Sequence, residues 1–203
     1  MKDEKMSSNT IQSLDSIAPM EKSTAKKESD PVKAEYEEGK KYLENQDYGQ
    51  AAVALHNALV GFEEKKDEAG IANASNHLGH VCLAREEFES ALKHYQRAFE
   101  ICDKSNDRMS VLLVMDKMVT ANKGLERYDV AIKICLEALD HYQDNRDPQG
   151  TVDTLEKIAD IYIAAGSKAK AADAYRTISS IHKNFNHNNI ASGYIEKAEA
   201  LER

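Results

Sequence analysis

From residue 30 onward, apolar side chains fall at steps of three, four and seven, the period of an amphipathic helix. Small residues are spaced among them with a longer regularity. Ala51, Ala91, Ala131 and Ala171 stand forty residues apart, and Ala58, Ala98, Ala138 and Ile178 repeat that step. Tyr48, Phe88 and Tyr128 form an aromatic column that Lys168 breaks. Leu55, Tyr95, Cys135 and Tyr175 make another column, and Gly39, Gly79, Val119 and Ala159 one more. Asp67, Asp107 and Asp147 fall where helices should begin, with Pro148 directly behind the last of them. Four copies in register predict stacked units, each of two amphipathic helices joined by a polar turn such as Asn45-Gln46-Asp47 or Gly166-Ser167. The small columns have a packing reason. Two antiparallel helices approach closely only where methyl groups or hydrogens line the crossing.

Quoted as motifs, the units resemble the tetratricopeptide repeat. Leu78-Gly79, Cys82, Ala91, Tyr95 and Ala98 match its signature best. Gly39, Tyr42, Ala51, Leu55 and Ala58 supply a second match; Ala131 with Ala138, and Tyr162 with Ala171 and Tyr175, supply weaker ones. There is no tryptophan, no proline closes the units, and the step is 40 residues rather than the usual 34 or so. This longer step looks like the extended repeats of kinesin light chains and G-protein-regulating scaffolds. The resemblance implies an all-α, right-handed α-α superhelix, a TPR-like solenoid of four helix pairs plus a C-terminal capping helix. The units would run over about 31–66, 67–106, 107–146 and 147–186, with the cap over 188–203. In that cap Ile190, Ala191, Tyr194, Ile195, Ala198 and Leu201 form one stripe, opposite Glu196, Lys197, Glu199 and Glu202. Solenoids need such a polar-backed end.

Residues 1–29 are poor in large apolar groups and predict a disordered N-terminal tail. Ile11, Leu14 and Ile17 alone share a helical spacing, which leaves open a short docking segment that folds on a partner.

Composition narrows the class of function. A net charge of −8 over 203 residues, with no arginine-rich stretch, argues against nucleic acid. No apolar run reaches the roughly 18 residues of a membrane span, and the N-terminus lacks a signal-peptide core. Cys82, Cys102 and Cys135 are an odd number without paired spacing, which fits reduced thiols in a cytoplasmic protein. All three fall in core columns and read as buried, inert groups. His77 and His80, with Cys82 and His94 near in sequence, are too few for a convincing metal site, so neither a metal nor a cofactor is expected. Phosphate loops, nucleophile elbows and metalloprotease motifs are absent, and catalysis has no support.

In the family the first helix of each pair lines the concave surface. Carried onto this register, that face holds Tyr36, Lys40, Asn73, Asn76, His80, Asp116, Thr120, Lys123, Asp153, Glu156 and Asp160. Lysine stands near the first unit, amides in the middle and carboxylates near the fourth. Such a grade suits a protein or peptide partner whose basic segment lies near Asp153, Glu156 and Asp160. The same residues equally suit a solvated helix face. The expected function is a non-enzymatic interaction module or scaffold. A structural subunit or assembly factor of a larger complex and a peptide-sensing regulator are the alternatives.

Overall fold

Five helices of this chain begin where a carboxylate can hold the first free amides. Asp30, Asp47, Asp67, Asp107 and Asp147 each accept a backbone N–H two or three residues on, those of Val32, Gln50, Gly70, Ser110 and Gly150. The computed structural model describes residues 30–203; the readings of residues 1–29, including Ile11, Leu14 and Ile17, lie outside it. Nine helices follow one another among the described residues: α1 Pro31–Glu44, α2 Tyr48–Lys65, α3 Glu68–Ala84, α4 Phe88–Lys104, α5 Arg108–Gly124, α6 Tyr128–Asp144, α7 Pro148–Ala164, α8 Lys168–Asn184 and α9 Asn188–Glu202. The second helix of each pair opens at the aromatic column, or at Lys168 where that column breaks.

The first eight helices all end in the same way. Gln46, Lys66, Glu86, Asn106, Glu126, Arg146, Gly166 and Asn186 all have φ between 53° and 72°, one left-handed residue every twenty. Behind each, the next N–H returns to a carbonyl five residues back, as in Asp67 to Phe62, Glu87 to Cys82 and Asp147 to Tyr142. The forty-residue unit is therefore two twenty-residue steps with one turn geometry. Glycine fills the left-handed position only at Gly166; elsewhere an ordinary side chain carries the strain.

Each helix packs chiefly on its chain neighbours, so the pairs form a row rather than a ball. The core is correspondingly a string of overlapping clusters, from Leu55, Phe62 and Leu78 at one end to Tyr175, Ile178 and Ala198 at the other. Ala51, Ala91, Ala131 and Ala171 are fully buried at the crossings. Gly79 shows how close those crossings are: a Cβ there would stand 2.5 Å from the Tyr95 ring. The packing explanation for the small columns holds. At the last pair Ala191 and Ala198 are buried, while Glu199 and Glu202 stay exposed and Glu202 bonds Arg176. Thus α9 covers the core of α8 and turns carboxylates outward.

Candidate functional site: the face of the odd-numbered helices

The two sides of the row differ in spacing. On one side α1 touches α3 and α3 touches α5 directly, across the helices between them. On the other, α2 reaches α4 through the long arms of the Arg97–Glu63 ion pair. The turn before α6 reaches α4 through Arg127–Glu89. The row is tighter on the side of the odd-numbered helices, where all of the residues anticipated above are carried.

Three of those residues, Tyr36, Asp116 and Glu156, are engaged with the next odd helix. Tyr36 on α1 lies edge-on to His77 on α3, its hydroxyl 3.2 Å from Nδ1. That nitrogen is also 2.8 Å from the Asn73 carbonyl oxygen. His77 meets His80, and His80 meets Tyr95, each edge-to-face with centroids under 6 Å apart. The Asn76 amide stands 3.3 Å from His80 Nε2, and the Tyr95 hydroxyl 3.2 Å from its Nδ1. Burial, helped by His77 and then Lys117, lowers the His80 pKa to about 4, so this ring is neutral at physiological pH.

Further along, Asp116 on α5 accepts from its neighbour Lys117 at 3.1 Å and from Lys157 on α7. Burial alone would raise the Asp116 pKa; the two ammonium groups outweigh it and bring the carboxyl below its ordinary value. Glu156 on α7 accepts from the Tyr194 hydroxyl of α9 at 2.7 Å and lies 3.6 Å from Lys197. Lys197 also sits over the Tyr194 ring, 4.6 Å from its centroid. Side chains thus staple α1 to α3, α5 to α7 and α7 to α9 along the middle of the face, while α3 and α5 meet by direct contact.

Lys117, Lys157 and Lys197 stand forty residues apart and were not among the anticipated site residues, although their column is plain in the sequence. Their signal is the mirror of the acidic one: each lies next to a carboxylate of the preceding column. They offset the acidic grade toward the fourth unit.

Other anticipated residues lie at the margins. Lys40 pairs with Glu37 at 2.9 Å and lies over the Tyr36 ring. The Thr120 hydroxyl donates to its own helix, at the Asp116 carbonyl. Lys123 is half-buried. Asn73 and Asp160 are exposed, and Asp153 is exposed with only the neutral Gln149 amide donating to it, at 2.7 Å. The face also carries two apolar side chains that the polar register passed over. Met109 is 71% exposed and Leu113 is 64% exposed, one helical turn apart at the start of α5. Leu113 occupies the column of Asn73 and Asp153, and its apolar character there was the available clue.

Cys82 departs from the expectation of a fully buried thiol. It is half-buried, because a cleft opens between α2 and α4 beside it, with His56 and His94 in the same wall. Cys102 and Cys135 are buried. Burial raises all three thiol pKa values, that of Cys135 to about 11, which keeps them protonated and poorly nucleophilic. Among the described residues no group of three or more His, Cys, Asp or Glu side chains has the geometry to hold a metal ion. Nor, among them, is any helix long and apolar enough to cross a membrane.

No family model and no curated protein matches the sequence. Solved structures do. The chain is similar to apo RapI at 13% identity and a TM-score of 0.66, over 84% of this chain and 70% of that one. It is similar to a putative kinesin light chain from Podosopora anserina with nearly identical TPR-like repeats, at 12% identity and a TM-score of 0.61, over 85% and 95% of the two chains. A Rap protein complexed with competence and sporulation factor matches at 14% identity and a TM-score of 0.58, over 84% of this chain and 51% of that one. At such identities the likeness is one of fold. This chain is an all-α solenoid of TPR-like helix pairs.

Proposed function

We propose that the chain is a non-enzymatic, cytoplasmic interaction module that binds a segment of a partner protein along its odd-helix face. One observation carries the reading. That face is built in advance: α1 touches α3 and α3 touches α5, and side chains already bond α1 to α3, α5 to α7 and α7 to α9. A partner segment meets a surface whose ordering cost has been met in folding, so most of the entropy lost on binding is its own. The Rap protein of similar fold that was solved with a bound factor supports this class of function. The basic part of the partner would lie toward α7, where Asp153 and Asp160 have no cationic neighbour within ion-pair distance among the described residues.

A second reading has its own support. On the even-helix side, clefts of about 490 and 580 Å³ lie between successive pairs, with the exposed Val53 and Val130 in their walls. A larger assembly could seat there, with this chain as a structural subunit.

Affinity purification from the native cell separates the two. The odd-face variant Asn73→Arg/Asp160→Lys should lose its partner while the even-face variant Lys93→Glu/Leu136→Asp keeps it. Loss by the even-face variant alone would transfer the function to the clefts and the subunit reading.

A further inference from the structure

The stapled middle of the odd-helix face is poorly disposed to take a ligand, since each bond offered to a partner there must first be broken internally. What stays unengaged is the rim formed by the first two turns of α3, α5 and α7. Asn73, Leu113 and Asp153 sit at one level along it, forty residues apart. Met109 extends the apolar surface one turn toward the helix start. On the even helices the exposed apolar residues do not adjoin in this way; Val53 and Val60 are seven residues apart, with His56 and Asn57 between them.

We infer that this rim recognises a partner segment carrying a large apolar side chain, seated on Met109 and Leu113, with a lysine or arginine two or three residues away on Asp153. The charge pattern selects the cation. The nearby lysines, Lys117 and Lys157, are both committed to Asp116. Asp153 is bonded only by a neutral amide and, unlike the equally unpaired Asp160 two turns further along α7, stands at the level of Leu113, so it is the carboxylate left to pair there. Spacing selects the separation. The Lys157–Asp116 ion pair sets α5 beside α7; helices that neighbour one another lie about 10 Å apart, and an extended chain advances about 3.3 Å per residue. A strand crossing from α5 to α7 therefore brings its second or third following residue over Asp153. The Asn73 amide, on the other flank, can donate to and accept from the backbone of the same strand. The inference rests on the proposed odd-face function and makes it specific.

The test is selection of a random displayed-peptide library on the full chain, followed by binding of the dominant peptide by fluorescence polarisation. The selected peptides should share an apolar residue followed or preceded, two or three positions away, by Lys or Arg. Leu113→Asp should weaken the dominant peptide by about tenfold or more, and Leu113→Ser by less. Asp153→Lys should weaken it several-fold, and a peptide with Glu in place of its cation should bind that variant better than the original does. Melting curves confirm that these exposed substitutions leave the fold in place. Peptides that lose binding with Asn73→Arg/Asp160→Lys yet ignore Leu113→Asp and Asp153→Lys would overturn the inference while leaving the odd-face function standing. Peptides lost only with Lys93→Glu/Leu136→Asp would remove both. Failure of any peptide to enrich would also overturn the rim as a peptide site.

Discussion

The odd-helix and even-helix sides are made from the same repeat, yet they are held together differently. The odd side has helices in contact and short polar groups: a tyrosine hydroxyl to a histidine, a lysine to a half-buried aspartate. The even side is spanned by arginine arms, with clefts left between. A row that curves must crowd one side and open the other. The crowded side lets partly buried acceptors such as Asp116 and Glu156 be reached from the next odd helix, where a hydrogen bond counts for more; on the open side both partners of each pair are well exposed and solvent-screened. One repeat thereby yields a rigid surface and a looser one.

The sharpest way to break this comparison is to fill a crossing. Ala91→Leu should cost about 1–3 kcal/mol through overpacking, read as a lower melting temperature, whereas Lys93→Leu on the exposed side of the same helix should change little. Lys93 is the better control than Glu89, because Glu89 holds Arg127. Equal stability of the two variants would mean that the crossings are not tight.

Removing one ion pair from each side comes next. Lys157→Met strips Asp116 of its partner on α7 and should cost about 1–2 kcal/mol, since the aspartate is half-buried. Arg127→Ala on the open side should cost about 0.2–1 kcal/mol. Chemical denaturation at low and high salt checks both, and a larger loss for Arg127→Ala would reverse the assignment of the rigid side.

His80 sharpens the comparison through pH. The unfolded ring takes its proton near pH 6.5 and the folded ring near 4, so the unfolded chain binds more protons between those values. The stability contributed by the neutral, buried ring is full above pH 6.5 and is lost as pH falls toward 4. It amounts to about 1–2 kcal/mol once discounted for the partial exposure of the ring. His80→Gln should flatten the fall in melting temperature between pH 7 and 5 relative to the parent chain. Parallel profiles would remove His80 from the buried network.

The smallest effect concerns the turns shared by both sides. Glu126→Gly relieves a left-handed residue and should raise stability by about 0.5–1 kcal/mol; Asn106→Gly should gain less, because asparagine tolerates that conformation. A loss at Glu126 would mean that backbone entropy outweighs the strain.

Part of this was legible in the residues and part was not. The small columns announced the crossings because nothing larger than a methyl group fits at the fully buried Ala51, Ala91, Ala131 and Ala171, and nothing larger than a hydrogen where Gly79 meets Tyr95. The aspartates at 67, 107 and 147 marked helix starts because a cap acts within three residues. The twenty-residue turn was missed. Five of its eight left-handed residues, Gln46, Lys66, Glu86, Glu126 and Arg146, are neither glycine nor asparagine and carry no local signature. At the candidate site, the register put the anticipated residues on the odd-numbered helices but treated them as free. Whether Asp116 stands alone or between two lysines depends on a residue forty positions away.

By itself, then, the sequence determined the class of element, the pairing of the helices and most of the stripe that each buries, though Ile190, read into the stripe of the last helix, is exposed. Those properties follow from period and from contacts close along the chain. Only the tertiary structure decided which polar groups on the odd helices are spent on one another, and that Asp153, Asn73, Met109 and Leu113 are left over. The physical reason is curvature. How near successive pairs approach is set by the summed packing of every crossing, and a side chain one helix away becomes a partner or a stranger according to that sum.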